Sequence, residues 1–366
     1  MAIYDEVLIF IETPQTERFE ALALEVFRYQ FDSVIPYRQF CLSQGTRSRD
    51  VKSLDDIPAL STAAFKYAEL DASVTLDSIA AGESRVFFTS GTTIGRDTRG
   101  RHRVPRIEVY KVSALRHAER MMFPDGARMR MLSLHPTAER MPESSLGQMI
   151  TWFIERFGAG ETLCAANRGE VDIAGAIEFL CAADLGAEPV CLMGTTAAFA
   201  ELFDRLSMRN ERLKLGQGSR LMDTGGAKGQ AVPLGADEVA ERARTLLGID
   251  PAMVINEYGM TELCSQLYDA TPFNSRFDDP PGSRRKLAPP WLAVAAVDPA
   301  TLTRVADGTP GLLRFFDLAN VGSVSAILTG DLGVVEGGTV RRLGRAGDGE
   351  ARGCALGIEQ FAAREG

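Results

Sequence analysis

The sequence lacks several features that would assign its class directly. None of its six cysteines forms a CxxC pair, so zinc-ribbon and thioredoxin-like sites have no support. No segment approaches the roughly 20 consecutive apolar residues of a membrane-spanning helix. Asp5 and Glu6 stand where a secretory signal needs positive charge. These absences predict a cytoplasmic protein without disulfides or a membrane span.

Positive charge is also scarce. The 366 residues carry 40 Lys and Arg against 49 Asp and Glu, a net charge of -9. Affinity for nucleic acid comes largely from neutralised phosphates, so this balance argues against a nucleic-acid partner. One segment is an exception, and its basic residues are Arg96, Arg99, Arg101, His102, Arg103 and Arg106. Its two interpretations are a cradle for an anionic group and an ordinary charged loop.

Periodicity divides the chain into three parts. Residues 1–84 favour helices, because their apolar residues recur at helical spacing. Residues 85–280 alternate short apolar runs with amphipathic stretches, as parallel βα units do. Residues 290–343 hold apolar runs separated by turn-rich segments, which favour antiparallel sheet and a small barrel. We therefore expect an α/β fold with one large domain, residues 1–343, and a short tail, residues 344–366.

A loop rich in glycine and hydroxyl groups follows the predicted strand Arg85–Thr89. It reads Thr89-Ser90-Gly91-Thr92-Thr93-Ile94-Gly95. Glycines allow backbone N–H groups to turn toward an anion, and hydroxyls add further donors. The loop is not a Walker motif, because no Gly-Lys-Ser/Thr follows. Taken alone, it is equally well explained as an ordinary strand-to-loop turn.

A second polar motif, Asn256–Glu262, follows another predicted strand. Tyr258 offers a flat face on which a base can stack. Thr261 offers a hydroxyl, and Glu262 offers a carboxylate of the kind that binds Mg²⁺. The alternative is a polar turn in which Thr261 or Glu262 caps a helix.

The third motif is Thr329–Gly333, in which Asp331 follows a predicted strand. Its carboxylate is suited to accept hydrogen bonds from ribose hydroxyls. By itself, the motif is also typical of a plain Gly-Asp turn.

Taken together and in this order, the three motifs resemble the signature of the adenylate-forming superfamily of acyl-CoA synthetases, luciferases and peptide-synthetase adenylation domains. The resemblance extends over roughly residues 85–345. It implies two stacked, mostly parallel sheets with helices, followed by a small antiparallel barrel. It also implies ATP and Mg²⁺ as cofactors and an ATP site. The implied ATP-site residues are Thr89, Ser90, Gly91, Thr92, Thr93, Gly95, Gly225, Gly226, Glu257, Tyr258, Gly259, Met260, Thr261, Asp331 and Arg345.

The resemblance also assigns roles within this site. Residues 90–95 would grip the phosphates of ATP, and Thr261 would contact the α-phosphate. Glu262 would hold Mg²⁺, and Asp331 would bind the ribose. The Gly225-Gly226 pair would lie against adenine.

Within the superfamily, the chain is similar to the LuxE family of acyl-protein synthetases. The pieces that carry this similarity are Gly100–His102, Pro142–Leu146, Asp223–Gly229, Asp317–Asn320 and Arg352–Leu356. The similarity implies ATP-dependent activation of a carboxylic acid and transfer of the acyl group to a cysteine near the C-terminus. The acyl group would then pass to a partner such as an acyl-CoA-reductase-like subunit or an acyl carrier protein.

Cys354 matches the acyl-accepting cysteine, and the neighbouring Arg352 favours its thiolate. Only 21 residues follow Arg345, too few for the C-terminal domain that supplies a catalytic lysine in most superfamily members. Lys228, just past the glycine pair, is our candidate to replace that charge. His102 is a candidate to hydrogen-bond a phosphate or the carboxylate. His135 either borders the acyl pocket or is a structural histidine.

Two alternatives remain open at this point. The acyl acceptor can be coenzyme A, a carrier protein or an amine, with Cys354 incidental. The chain can also be a non-catalytic nucleotide- or acyl-binding subunit. Intact Glu262 and Asp331 argue against the second alternative.

Overall fold

The structure is a computed structural model that describes residues 2–72, 84–89, 99–225 and 234–346. Within these ranges the chain forms two compact units. The first unit takes the residues up to Arg116, the short segment Met260–Gln266 and the residues from Leu287 onward. The second unit consists of His117–Gly259 and Leu267–Lys286. No helix in the described ranges is both long and apolar enough to cross a membrane.

The helices are α1 Ala2–Glu12, α2 Phe19–Ser33, α3 Ile35–Ser43, α4 Ile107–Met121, α5 Ser145–Phe157, α6 Ile173–Leu185, α7 Thr196–Met208 and α8 Ala236–Leu247. The strands are β1 Leu60–Ser61, β2 Arg85–Phe88, β3 Arg101–Val104, β4 Met129–Ser133, β5 Gly158–Cys164, β6 Ala166–Asn167, β7 Glu170–Val171, β8 Val190–Thr195, β9 Arg220–Thr224, β10 Val254–Tyr258, β11 Leu267–Asp269, β12 Lys286–Leu287, β13 Leu292–Val297, β14 Pro310–Asp317, β15 Ala326–Glu336 and β16 Thr339–Arg345.

The second unit is built on a parallel sheet. Strands β5, β4, β8, β9 and β10 are neighbours in that order and pair in parallel. Antiparallel β11 lies next to β10. Helices α6, α7 and α8 pack their apolar faces into one core with these strands. Strand β8 is apolar and fully buried along most of its length, as expected for a strand covered on both faces.

Local signals place the helices of this unit. Ser144, Asp172 and Thr195 are N-caps of α5, α6 and α7, and each side chain accepts a backbone N–H of the first turn. Gly248 ends α8 with a φ of 68°, a conformation that favours glycine. The helical spacing of apolar residues in the sequence predicts helices at Ser145–Phe157 and Ala236–Leu247, and both are confirmed at those bounds.

The first unit combines the N-terminal helices with antiparallel strands. Strands β13, β14, β15 and β16 form successive antiparallel pairs, and β1 adds a short parallel pair to β15. Strands β2 and β3 form a separate hairpin. The α/β class is therefore confirmed. The longest parallel run of the described residues lies in the second unit, and β13 to β16 pair antiparallel, as expected for residues 290–343.

One strand corrects two expectations about the third motif. The apolar runs in the sequence predict two separate strands here, at residues 325–329 and 333–336. The structure instead has the single strand β15, Ala326–Glu336, so Asp331 does not lie in a turn. A shift in register between Leu332 and Gly333 lets the strand bend and continue. Gly337 and Gly338, with φ of 55° and 76°, then form the tight turn into β16. Strand β16 was not predicted.

Candidate active site

The glycine-rich loop of the first motif is closed at its base by a pair of residues. The Thr89 N–H donates to the carbonyl oxygen of Gly100, and the Gly100 N–H donates to Thr89 Oγ1, both at 2.9 Å. A Cβ added at Gly100 would lie 3.0 Å from Thr89 Cγ2, so a larger residue would disturb this closure. Ser90, Gly91, Thr92, Thr93 and Gly95 lie outside the described residues.

His102 joins the first motif to the second. It lies on β3, two residues after the loop, and is only 1% exposed. Its Nδ1 lies 2.6 Å from the carbonyl oxygen of Thr261, and its Nε2 lies 2.9 Å from Asn320 Oδ1. Burial lowers the pKa of His102 to about 4. The base of the loop and the Thr261-Glu262 turn therefore meet within one compact unit.

The sequence predicted that His102 hydrogen-bonds a phosphate or the carboxylate. A histidine that hydrogen-bonds a phosphate needs a ring nitrogen open to the ligand. Here both ring nitrogens contact protein oxygens. The alternation along β3 explains the burial, since Arg101 points outward and His102 points inward.

Two further side chains hold the segment that follows Thr261. Asn320 Nδ2 donates to the carbonyl oxygen of Glu262 at 2.9 Å. Asp317 Oδ2 accepts the Cys264 N–H at 2.9 Å, and Asp317 Oδ1 accepts the Ser265 hydroxyl at 2.7 Å. Burial raises the pKa of Asp317 to about 6. Sequence reasoning gave neither residue a role, although the Asp317–Asn320 segment was one of the family-like pieces.

Asp331 lies on β15 beside two arginines of β16. Its Oδ1 is 3.1 Å from Arg342 Nη2 and 3.6 Å from Arg345 Nε. The Asp331 side chain is largely buried, whereas that of Arg345 is 69% exposed. Asp331 and Arg345, both predicted to bind ATP, are thus brought together, and Arg342 is an addition that sequence reasoning missed.

In the second unit, two predicted segments lie side by side at the ends of parallel strands. Asp223 of β9 is paired in register with Asn256 of β10. Asp223 Oδ2 accepts hydrogen bonds from Thr196 Oγ1 at 2.9 Å and Asn256 Nδ2 at 3.0 Å. Burial raises the pKa of Asp223 to about 6. Thr196 was not singled out from the sequence.

Further described residues of the predicted site lie at the ends of these two strands. Thr224 hydrogen-bonds to Glu257, whose pKa burial raises to about 7. Gly225 has a φ of 85°, a conformation that favours glycine. Tyr258 ends β10 half-buried, and Gly259 after it is exposed. Gly226 and Lys228 lie outside the described residues.

A buried ion pair supports the start of the second motif. Lys286 Nζ lies 2.7 Å from Asp269 Oδ1, and both side chains are less than a tenth exposed. The same ammonium donates to Asn256 Oδ1 at 2.7 Å. Because Asn256 in turn donates to Asp223, the ion pair and the ends of β9 and β10 form one polar network.

The second unit also contains an open cleft of about 660 Å³. His135 lines it, and its Nε2 lies 3.0 Å from Ser144 Oγ. Burial lowers the pKa of His135 to about 4. Most of the wall is apolar, and its larger apolar members are Leu134, Pro136, Met141, Val171 and Met208. His135 is therefore both hydrogen-bonded and part of a cleft wall.

The described cysteines are free thiols. Burial raises the pKa of Cys41 and Cys191 to about 12 and also raises that of Cys264, so these three are poor nucleophiles. Cys354 lies outside the described residues. Within the described ranges, no group of three or more His, Cys, Asp or Glu side chains could hold a metal ion.

A solved structure shares this fold. The 2-hydroxyisobutyryl-CoA ligase, in its postadenylation state with 2-HIB-AMP, matches with a TM-score of 0.67 at 18% identity. The match covers 91% of this chain and 69% of that one. Together with the motif-bearing segments, this fold is that of an adenylate-forming ligase.

Sequence relatives are also ligases. Two proteins named long-chain-fatty-acid–luciferin-component ligase, from Aliivibrio fischeri and Vibrio harveyi, are each 24% identical to this chain. The alignments cover 95% and 96% of this chain and 92% of each relative. The family model of LuxE, acyl-protein synthetase, matches residues 5–362. The chain therefore belongs to the LuxE acyl-protein synthetase family and is an acid–thiol ligase.

Proposed function

We propose that this chain activates a fatty or related carboxylic acid with ATP and passes the acyl group to a thiol, Cys354. The observation that carries the proposal is the contact of His102 with Thr261, because it joins the phosphate-type loop and the Thr261-Glu262 turn. The names of the two bacterial relatives support a long-chain fatty acid as the substrate.

The proposed roles follow the chemistry of each side chain. Thr261 donates its hydroxyl to the α-phosphate, and Asp331 accepts hydrogen bonds from the ribose. Gly225 and Tyr258 contact adenine, with Gly225 allowing close approach of the backbone and Tyr258 offering its ring face. Lys228 supplies positive charge near the phosphates.

Glu262 fits a magnesium ion that is held mainly by phosphates. Mg²⁺ commonly takes only one or two protein carboxylates and leaves its other positions to phosphate oxygens and water. A single largely buried carboxylate such as Glu262 meets that need. When bound, the ion would neutralise phosphate charge.

The reaction has two balanced steps. In the first, a carboxylate oxygen of the acid bonds to the α-phosphorus of ATP and pyrophosphate leaves. In the second, the Cys354 sulfur bonds to the acyl carbon, AMP leaves and the thiol proton is released. Capture as a thioester protects the acyl group from the rapid hydrolysis expected of a mixed anhydride.

The cleft beside His135 is our proposed place for the acyl chain. Its volume of about 660 Å³ falls in the usual range for small-molecule sites, roughly 300–1,000 Å³. Its apolar wall favours a hydrocarbon chain over a polar one. A cytoplasmic location and delivery of the acyl group to a reductase subunit or carrier protein complete the proposal.

Intact-protein mass spectrometry tests this function. The protein is incubated with Mg-ATP and carboxylic acids of graded chain length, with Cys354→Ser in parallel. We expect an acyl adduct on the wild type that hydroxylamine removes, and none on Cys354→Ser. Pyrophosphate release from both proteins without any adduct would assign the acyl group to another acceptor. No release with any acid would contradict acid activation.

A further inference from the structure

The segment Thr261–Ser265 is held from one side by buried polar groups that have no assigned role. His102 and Asn320 contact the backbone of Thr261 and Glu262, and Asp317 contacts Cys264 and Ser265. All four contacts lie within the first unit. His102, Asp317 and Asn320 are each at most 2% exposed, so ligands cannot be their partners.

Both polar atoms of the Asn320 side chain contact protein groups. Its Nδ2 donates to the carbonyl oxygens of Glu262 at 2.9 Å and Val324 at 2.8 Å. Its Oδ1 faces His102 Nε2 at 2.9 Å and Cys264 Sγ at 3.5 Å. The two carbonyl partners fix the amide orientation, since a rotated amide would place oxygen against oxygen. Asn320 is thus a specific support for the Glu262 backbone.

His102 supports the neighbouring peptide. Of its two ring contacts, the shorter is the 2.6 Å one between Nδ1 and the Thr261 carbonyl oxygen. The His102 ring also packs edge-on against Phe65, with ring centroids 5.4 Å apart. Its position is therefore fixed by packing as well as by polar contacts.

We propose that His102 and Asn320 are positioning residues that fix the backbone of Thr261 and Glu262, so that their side chains meet the α-phosphate and the metal. This inference rests on the proposed function, which gives Thr261 and Glu262 those roles. Small displacements of groups that contact a reacting centre are costly, about 100-fold in rate for a shift near 1 Å. Asp317 extends the same support to Ser265.

A double-mutant cycle on acid-dependent pyrophosphate release tests the proposal. Asn320→Asp keeps the size of the side chain but replaces the Nδ2 donor by an acceptor facing two carbonyls. We expect kcat/KM for ATP to fall about 100-fold in the wild-type background. In a Thr261→Ala, Glu262→Gln background the same change should cost less than about 3-fold, because the groups it positions are already absent.

The matched control is Asn274→Asp. Asn274 also donates from Nδ2 to two carbonyl oxygens, those of Met121 and Asp269, and accepts the Thr271 N–H. This variant should lose a similar amount of stability and keep kcat/KM within about 3-fold. Equal losses in Asn274→Asp and Asn320→Asp would overturn the positioning role.

Two histidine variants separate the contacts if Asn320→Asp does not fold. The amide nitrogen of Asn can occupy the place of Nδ1, and that of Gln can occupy the place of Nε2. His102→Asn should therefore retain the bond to Thr261 and most activity, and His102→Gln should lose both. The reverse order would overturn the inference. Unchanged pyrophosphate release in Thr261→Ala, Glu262→Gln would instead contradict the proposed function.

Discussion

Asp331 on β15 and Arg342 on β16 are joined by a 3.1 Å contact between Oδ1 and Nη2. The contact crosses an antiparallel pair that also brings Arg345 within 3.6 Å of the same oxygen. The two guanidinium groups orient the Asp331 side chain, as a carboxylate that accepts hydrogen bonds from a diol requires.

We therefore expect Asp331→Asn to raise KM for ATP about 10- to 100-fold with a smaller effect on kcat, because a ribose contact contributes to binding in ground and transition states alike. Steady-state pyrophosphate release at varied ATP measures both constants. Glu336→Gln, at the exposed end of the same strand, is the control and should leave KM unchanged. An unaltered KM for ATP in Asp331→Asn would show that Asp331 does not bind the ribose.

Glu257 should give the protein a pH-dependent stability. Burial raises its pKa from the usual 4.5 to about 7, so between these values the folded state holds a proton that the unfolded chain has lost. The free energy of unfolding should consequently fall as pH rises through this window, by on the order of 3 kcal/mol from this group. Glu257→Gln should remove that slope.

Urea denaturation of wild type and Glu257→Gln between pH 4.5 and 7.5 checks this expectation. Other buried carboxyls, such as Asp223 and Asp317, are common to both proteins, so the difference between the two curves isolates Glu257. Parallel curves would show that Glu257 is not protonated in the folded protein.

The Lys286–Asp269 ion pair should matter for stability chiefly when one partner is lost. Lys286→Met leaves Asp269 charged and buried, and we expect a loss of about 3–5 kcal/mol in the free energy of unfolding. In the double variant, Asp269→Asn also removes the unpaired buried carboxylate, so much of the lost stability should be recovered. Chemical denaturation of the wild type, both single variants and the double variant measures the coupling, and additive losses would contradict it.

The cleft should control which acids are used. Ala197 is exposed on α7 and lines the cleft, so Ala197→Trp places a large ring in its opening. We expect kcat/KM for long-chain acids to fall at least about 10-fold and that for short acids to change little. Ala174→Trp, on an exposed position of α6 outside the cleft wall, is the control. An equal fall in kcat/KM for acids of all chain lengths would show that the acyl chain does not bind in this cleft.

Local sequence signals predicted the second unit well. Capping residues such as Ser144, and apolar runs, lie within or next to the elements that they define. Helices α5 and α8 accordingly have the predicted bounds. The motif residues on β9 and β10 were likewise found by their position after predicted strands. These features need no information about distant parts of the chain.

The supporting groups of the site were not predictable in this way. His102 is 159 residues from Thr261, and Asn320 is 58 residues from Glu262. The sequence shows that His102 is a residue type suited to contact a phosphate. Only the structure shows that it is buried against the Thr261 carbonyl oxygen. Asp331 was misplaced in a turn for a related reason, since the bulge that continues β15 depends on pairing with β16.

A hydrogen bond at the end of β16 limits how far Cys354 can lie from that point. The Ala346 N–H donates to the carbonyl oxygen of Gly330 at 2.9 Å, next to Asp331. Cys354 is the eighth residue after Ala346, and a fully extended chain of that length spans at most about 29 Å. Under the proposed function, any group that exchanges an acyl chain with Cys354 must therefore approach within roughly that distance of the proposed ribose contact.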